Sequence, residues 1–112
     1  MKKDPKFFLE HIAKSIEDIE KYTYGQTREK FSKAKMMQDA IIRKLEIIGE
    51  AVKRLPIPFK KRHPKIAWRV IAGMRDVLIH EYFGVNINVV WNTIKKDIPK
   101  LKAQIIEVIE KL

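Results

Sequence analysis

An all-α, up-and-down bundle of four to five helices is predicted by three features of the sequence. Apolar residues recur three and four positions apart along most of the chain, no segment alternates strictly between apolar and polar as a half-buried strand does, and Asp-Pro, Gly and Pro-x-Pro punctuate the pattern at the right intervals. At 112 residues the chain suffices for one core and is too short for two, so a single domain over residues 1–112 is expected.

Asp4-Pro5 is a helix start, an N-cap followed by proline at the first helical position, and Phe8, Leu9, Ile12, Ile16 and Ile19 follow at helical spacing. This helix runs to Tyr24, where Gly25 ends it. Thr27 caps a second helix in which Phe31, Ala34, Gln38, Ile41, Leu45, Ile48, Val52 and Leu55 form one stripe along a rod of about 28 residues. Gln38 is the odd polar residue in that stripe, and periodicity gives no account of it. Gly49 is read as a position of close helix contact.

Leu55-Pro56-Ile57-Pro58 breaks the rod, because neither proline donates a backbone N–H and each pushes its predecessor out of helical geometry. Phe59-Lys60-Lys61-Arg62-His63-Pro64 is then a loop. A third helix spans Lys65 to Phe83 with Gly84 as its C-cap. Its run from Ile66 to Ile79 is apolar on almost every face and reads as buried. Asn86 or Asn88 caps a shorter helix carrying Val89, Val90, Trp91 and Ile94, and Asp97-Ile98-Pro99 restarts the chain as a last helix. Trp68 and Trp91 sit in apolar patterns and are read as core rather than as platforms for stacked bases.

Composition narrows the function classes. There are 24 Lys and Arg against 14 Asp and Glu, a net charge of +10 that favours an anionic partner, nucleic acid first. The plainer reading of this excess is a thermophile-like composition in which charge only keeps the protein dispersed. Without cysteine there are no disulfides, thiolate metal sites or thiol nucleophiles. No apolar run approaches the roughly 18 residues of a membrane span, and Met1-Lys2-Lys3-Asp4-Pro5 does not begin a signal peptide, so a cytoplasmic location is expected. Long helices in so small a chain also leave apolar surface over, which dimerisation would cover.

Chemistry concentrates in Arg75-Asp76-Val77-Leu78-Ile79-His80-Glu81-Tyr82. Charged groups in a helix that reads as buried are costly unless paired. Asp76 and His80 lie one helical turn apart, so the carboxylate can hold one imidazole nitrogen and fix its tautomer. Arg75 and Tyr82 share a different face, about 140° round from His80, so Arg75 and His80 meet only if the Arg reaches around or two copies of the helix come together. An imidazole beside a guanidinium is what phosphodiester cleavage without a metal requires, and RNA brings its own nucleophile in the 2′-hydroxyl. Spacing alone leaves a second reading open, a buried structural network pairing Arg75, Asp76 and His80 with Glu50 or Glu46. His11 and His63 are read as surface residues.

The segment Arg75 to Tyr82 resembles the R-x4-H-x-Y signature of HepT-like proteins, a branch of the HEPN-domain ribonuclease toxins. The likeness extends to Gln38-Asp39-Ala40, Ile47-Ile48-Gly49-Glu50-Ala51, Trp68 with Ile71-Ala72-Gly73-Met74, Tyr82-Phe83-Gly84-Val85, and Trp91 with Asp97-Ile98-Pro99. It implies an all-helical homodimer whose two signature segments form a shared cleft that cuts RNA with no metal and no cofactor. Arg75 carries over as the phosphate-binding cation, His80 as the catalytic acid or base, and Asp76 as the polar residue that follows the Arg and orients. Tyr82 matches the tyrosine to which a minimal nucleotidyltransferase antitoxin adds AMP. Lys60, Lys61, Arg62 and Lys65, about 20 to 30 Å from His80 along the helix, are candidates for steering RNA, against the alternative of an ordinary solvated loop. The rival to the nuclease is a catalytically inactive helical module of the same fold that binds RNA or a partner.

Overall fold

The structure, a computed structural model, describes residues 4–80 and 86–112, with residues 75–80 described through their backbone only. Helix α1 (Pro5–Thr23) begins at Asp4, whose carboxylate accepts the Lys6 N–H at 2.9 Å, and Pro5 occupies a first-turn position that needs no donor. Leu9, Ile12, Ile16 and Ile19 are buried along one face. Gly25 takes a φ of 73° in the turn that follows, a left-handed conformation in which a side chain would be strained.

The expected 28-residue rod is two helices. α2 (Arg28–Lys33) starts at Thr27, whose hydroxyl accepts the Lys30 N–H, and α3 (Lys35–Arg54) follows after Ala34, whose φ of −103° and ψ of 78° leave the helix. Gln38 now has an account. A helix end leaves carbonyls without intrahelical donors, and the buried Gln38 amide donates to the Phe31 carbonyl at 2.8 Å, alongside the Ala34 N–H at 3.1 Å. The polar residue in the apolar stripe therefore secures the break. Phe31 is fully buried with its ring centroid 5.3 Å from that of Trp91. Gln38→Leu should cost about 1 kcal/mol, seen as a fall of several degrees in a circular-dichroism melt. An unchanged Tm would mean that the amide bond adds nothing net.

The segment read as a loop contains a short helix, α4 (Ile57–Lys61). Pro56 is its N-cap and Pro58 lies in the first turn, where a missing N–H removes no hydrogen bond. α5 (Trp68–His80) comes next; the expected extension to Phe83 and the Gly84 cap lie outside the described residues. α6 (Ile87–Asn92) starts at Asn86, whose side-chain oxygen accepts from the Asn88 and Val89 N–H groups at 3.0 and 3.4 Å, which decides between the two candidate caps.

The last helix does not restart at Asp97. α6 runs on through a π-helical turn (Thr93–Asp97) into α7 (Ile98–Glu110), and Asp97 has helical angles and no side-chain cap bond. The cause is Pro99, which has no N–H and whose ring crowds the carbonyl four residues back. Widening the turn, so that the Ile98 N–H reaches the Thr93 carbonyl five residues back, lets the rod pass a proline without ending.

α1 packs on α3 and α7, and α3 on α5. Among the described residues the long elements are α1, α3, α5 and the α6–α7 rod, which is the expected bundle, and there is no strand. Trp68 and Trp91 are buried in it, as is Gly49. Among the described residues no helix is long and apolar enough to cross a membrane.

Asp18 joins α1 to α3. Lys44 reaches one carboxylate oxygen at 2.9 Å and Lys14 the other at 3.3 Å. The Lys44 hydrogen bond, with help from Lys14 and against the opposing effect of burial, holds the Asp18 carboxyl below its ordinary value of 3.8. A carboxyl with a lowered folded-state pKa contributes stability above its unfolded pKa and loses it as pH falls through the folded value. Asp18→Asn should therefore lower Tm at neutral pH, and the gap to wild type should close as pH drops well below about 4. A gap that stays constant with pH would refute the charge pairing.

Candidate active site

Arg75, Asp76 and His80 lie in the C-terminal half of α5, whose backbone is helical through His80. The geometry of a single helix thus applies to all three: Asp76 and His80 are one turn apart, and Arg75 and His80 are separated by about 7.5 Å of rise. Their side chains, and Tyr82 entirely, lie outside the described residues.

The half of α5 before Arg75 corrects the reading of a wholly buried helix. Val70 is 71% exposed, and Ile71, Ala72 and Met74 are only partly buried. Val70, Ile71 and Met74 form one wall of a cavity of about 470 Å³, closed opposite by Val89 of α6, Thr93 of the π turn, and Ile98 and Leu101 of α7. Among the residues whose side chains are described, the α5 wall reaches Met74, next to Arg75 in the chain, and Lys65 and Lys100 belong to the polar lining. The apolar run on α5 lines an open groove as well as the core.

The basic candidates differ in what holds them. Lys60 donates from Nζ to the Val52 carbonyl at 3.2 Å and so serves the C-terminal end of α3, where carbonyls lack intrahelical donors. Lys61 is exposed, Arg62 lies 5.8 Å above the Phe59 ring, and Lys65 is exposed at the entry to α5. His63 packs on Phe59 with ring centroids 4.8 Å apart, and the exposed His11 packs on Phe7 at 4.6 Å. Glu46, one partner considered for a buried network, pairs with Arg43 at 3.4 Å, while α3, which carries it and Glu50, is the neighbour of α5. Trp68 holds the segment before α5 in place, its indole N–H donating to the carbonyls of Lys60 and His63 at 3.1 and 3.0 Å. Helical periodicity gave no signal for the contacts that Lys60 and Trp68 make five to eight residues away.

Curated relatives cover the chain almost completely. A Methanocaldococcus jannaschii protein whose name joins gamma-glutamylcyclotransferase and RNase is 50% identical over 112 residues, 100% of this chain, and the chain spans 50% of that relative's length. A Caldanaerobacter subterraneus subsp. tengcongensis protein with an RNase name is 49% identical over 109 residues, 97% of each chain. A Thermococcus cleftensis protein named "Probable ribonuclease HepT" is 53% identical over 104 residues, 93% of this chain and 94% of the relative. No solved structure matches. The family described as "Ribonuclease HepT-like" matches residues 12–108, from α1 to α7 with the whole Arg75 to Tyr82 segment inside, and the chain belongs to that family.

Proposed function

We propose that this chain is a metal-independent endoribonuclease, the toxin of a type II toxin–antitoxin pair, acting as a homodimer. The observation that carries the reading is the family match over residues 12–108, with Arg75 and His80 on one helix at the spacing of the R-x4-H signature. The RNase names of the relatives support the same reaction class.

The chemistry follows from RNA's own structure. The 2′-oxygen attacks the neighbouring phosphorus, the O2′–P bond forms and the P–O5′ bond breaks. One proton leaves the 2′-hydroxyl and another arrives at the departing 5′-oxygen, leaving a cyclic phosphate and a 5′-hydroxyl. His80 is the proton-moving group, Asp76 orients it, and Arg75 binds the phosphoryl oxygens as their charge grows. Pairing of two α5 helices brings Arg75 of one protomer near His80 of the other.

Control falls to Tyr82, the acceptor of AMP from a minimal nucleotidyltransferase antitoxin. Lys61, Arg62 and Lys65 steer RNA, with Lys60 drawn partly into the fold.

The test is cleavage of a single-stranded RNA by purified protein in EDTA, repeated with Arg75→Ala. Cleavage that persists in EDTA and falls about 10²-fold or more in the variant is expected. RNA that is bound but left intact would identify the inactive binding module instead.

A further inference from the structure

A second cavity, of about 480 Å³, lies between the segment leading into α5 and the C-terminal end of α7. Arg62, His63, Lys65 and Lys111 line it, with Glu107 as the acidic residue among them. We propose that this pocket binds a backbone phosphate of the RNA strand, as an anchor outside the cleavage cleft; the inference rests on RNA being the substrate.

Three observations carry it. The first is charge: among the described residues that line the pocket, Arg62, Lys65 and Lys111 accompany one carboxylate, Glu107. Lys111 sits 2.8 Å from Glu107, and its hydrogen bond and charge, with Lys65 adding, hold that carboxyl below its ordinary value, so one carboxylate is matched and the cationic excess remains.

The second is rigidity. The Trp68 indole binds the carbonyls of Lys60 and His63, the Ile66 N–H donates to His63 at 3.3 Å, and the Gln104 amide donates to the Lys65 carbonyl at 3.2 Å. A backbone already fixed beneath Arg62 and Lys65 adds no ordering cost of its own when an anion arrives.

The third is continuity. Lys65 and Gln104 line both this pocket and the apolar groove along α5, so a strand leaving the pocket follows the seam between α5 and α7 towards Arg75. From Trp68, where α5 begins, to Arg75 the helix rises about 10 Å, roughly three stacked nucleotides. A track of that length favours a polymer over a single nucleotide.

The experiment measures binding of a labelled single-stranded RNA to the full chain carrying His80→Ala, as a function of salt. Arg62→Ala/Lys65→Ala/Lys111→Ala is compared with Lys21→Ala/Lys30→Ala/Lys33→Ala, which removes equal charge outside the pocket. Each phosphate contact on a single strand contributes about 0.7 to the slope of log K against log salt, so the pocket variant, deprived of one such contact, should lose roughly 0.7 from that slope and bind at least about tenfold more weakly. The control triple should leave the slope near wild type.

Equal losses in both triples would reduce the effect to net charge and overturn the site. So would AMP, inorganic phosphate or an acidic peptide displacing RNA from the unsubstituted pocket at the RNA's own concentration, since the occupant would then not be a nucleic-acid backbone. Binding does not depend on cleavage, so a protein that cuts no RNA yet shows the slope difference leaves the pocket standing and removes only the nuclease reading.

Discussion

His80→Ala is expected to lower RNA cleavage by about two to four orders of magnitude while leaving the protein folded. The size follows from the role. A group that moves a proton in the transition state contributes on that scale, and alanine leaves nothing at that position to take the proton from the 2′-hydroxyl or to deliver one to the leaving oxygen. Arg75→Ala should differ in kind, weakening RNA binding as well as the chemical step, because a guanidinium attracts the phosphate before reaction and holds it more strongly as charge develops. The pair of variants separates the two jobs when single-turnover rate and RNA affinity are measured on the same preparations. Melting temperature is the necessary companion. If Arg75, Asp76 and His80 formed only a buried network, each substitution would lower Tm by several degrees, as breaking paired interior groups does. Cleavage at the wild-type rate in His80→Ala would remove this residue from the mechanism.

Periodicity made the helical class and most helix starts legible, because Asp4-Pro5, Thr27 and Asn86 cap through contacts two or three residues away. The misreadings arose where the deciding interaction is tertiary or where a proline has two possible outcomes. Ala34 breaks a stripe that looks continuous, and the partner that secures the break, Gln38, lies seven residues from the carbonyl it serves. Pro58 sits within the first turn of a short helix, and Pro99 is absorbed by a π turn, although both read equally well as stops or starts. At the candidate site the signature was legible and its neighbourhood was not. The run from Ile66 to Ile79 predicts burial, yet which of its faces meets solvent depends on where α6 and α7 lie, and α5's own residues carry no mark of that. The same limit applies to the basic pocket, where Lys111 joins Arg62 and Lys65 across about 46 residues of chain only because α7 returns alongside the entry to α5.

If the chain is the toxin proposed above, Tyr82→Phe should uncouple it from control by the antitoxin. With wild-type protein, incubation with the cognate nucleotidyltransferase and ATP is expected to raise the intact mass by whole multiples of AMP and to reduce cleavage to background. The phenolic oxygen attacks the α-phosphorus of ATP, the O–P bond forms, pyrophosphate leaves with its electron pair, and the phenolic proton goes to solvent. Phenylalanine keeps the ring but lacks that oxygen, so the variant should take up no AMP, stay active, and arrest growth even when the antitoxin is present. On the proposed reading the inhibition would have an electrostatic basis. Each added AMP would bring an anionic phosphodiester and a bulky base next to the residues that must receive the RNA backbone, and so would both occupy the cleft and repel its substrate. The two parts can be told apart, since raising ionic strength relieves repulsion and leaves obstruction unchanged. Tyr22 and Tyr24, 40% and 89% exposed at the end of α1, supply the internal control. If the nucleotidyltransferase reads exposure alone, AMP should appear on Tyr24 and survive Tyr82→Phe. A modification that persists in this way, with cleavage still suppressed, would move the control point off the signature, whereas loss of both the mass shift and the suppression would tie regulation to the Arg75 to Tyr82 segment proposed to carry the chemistry.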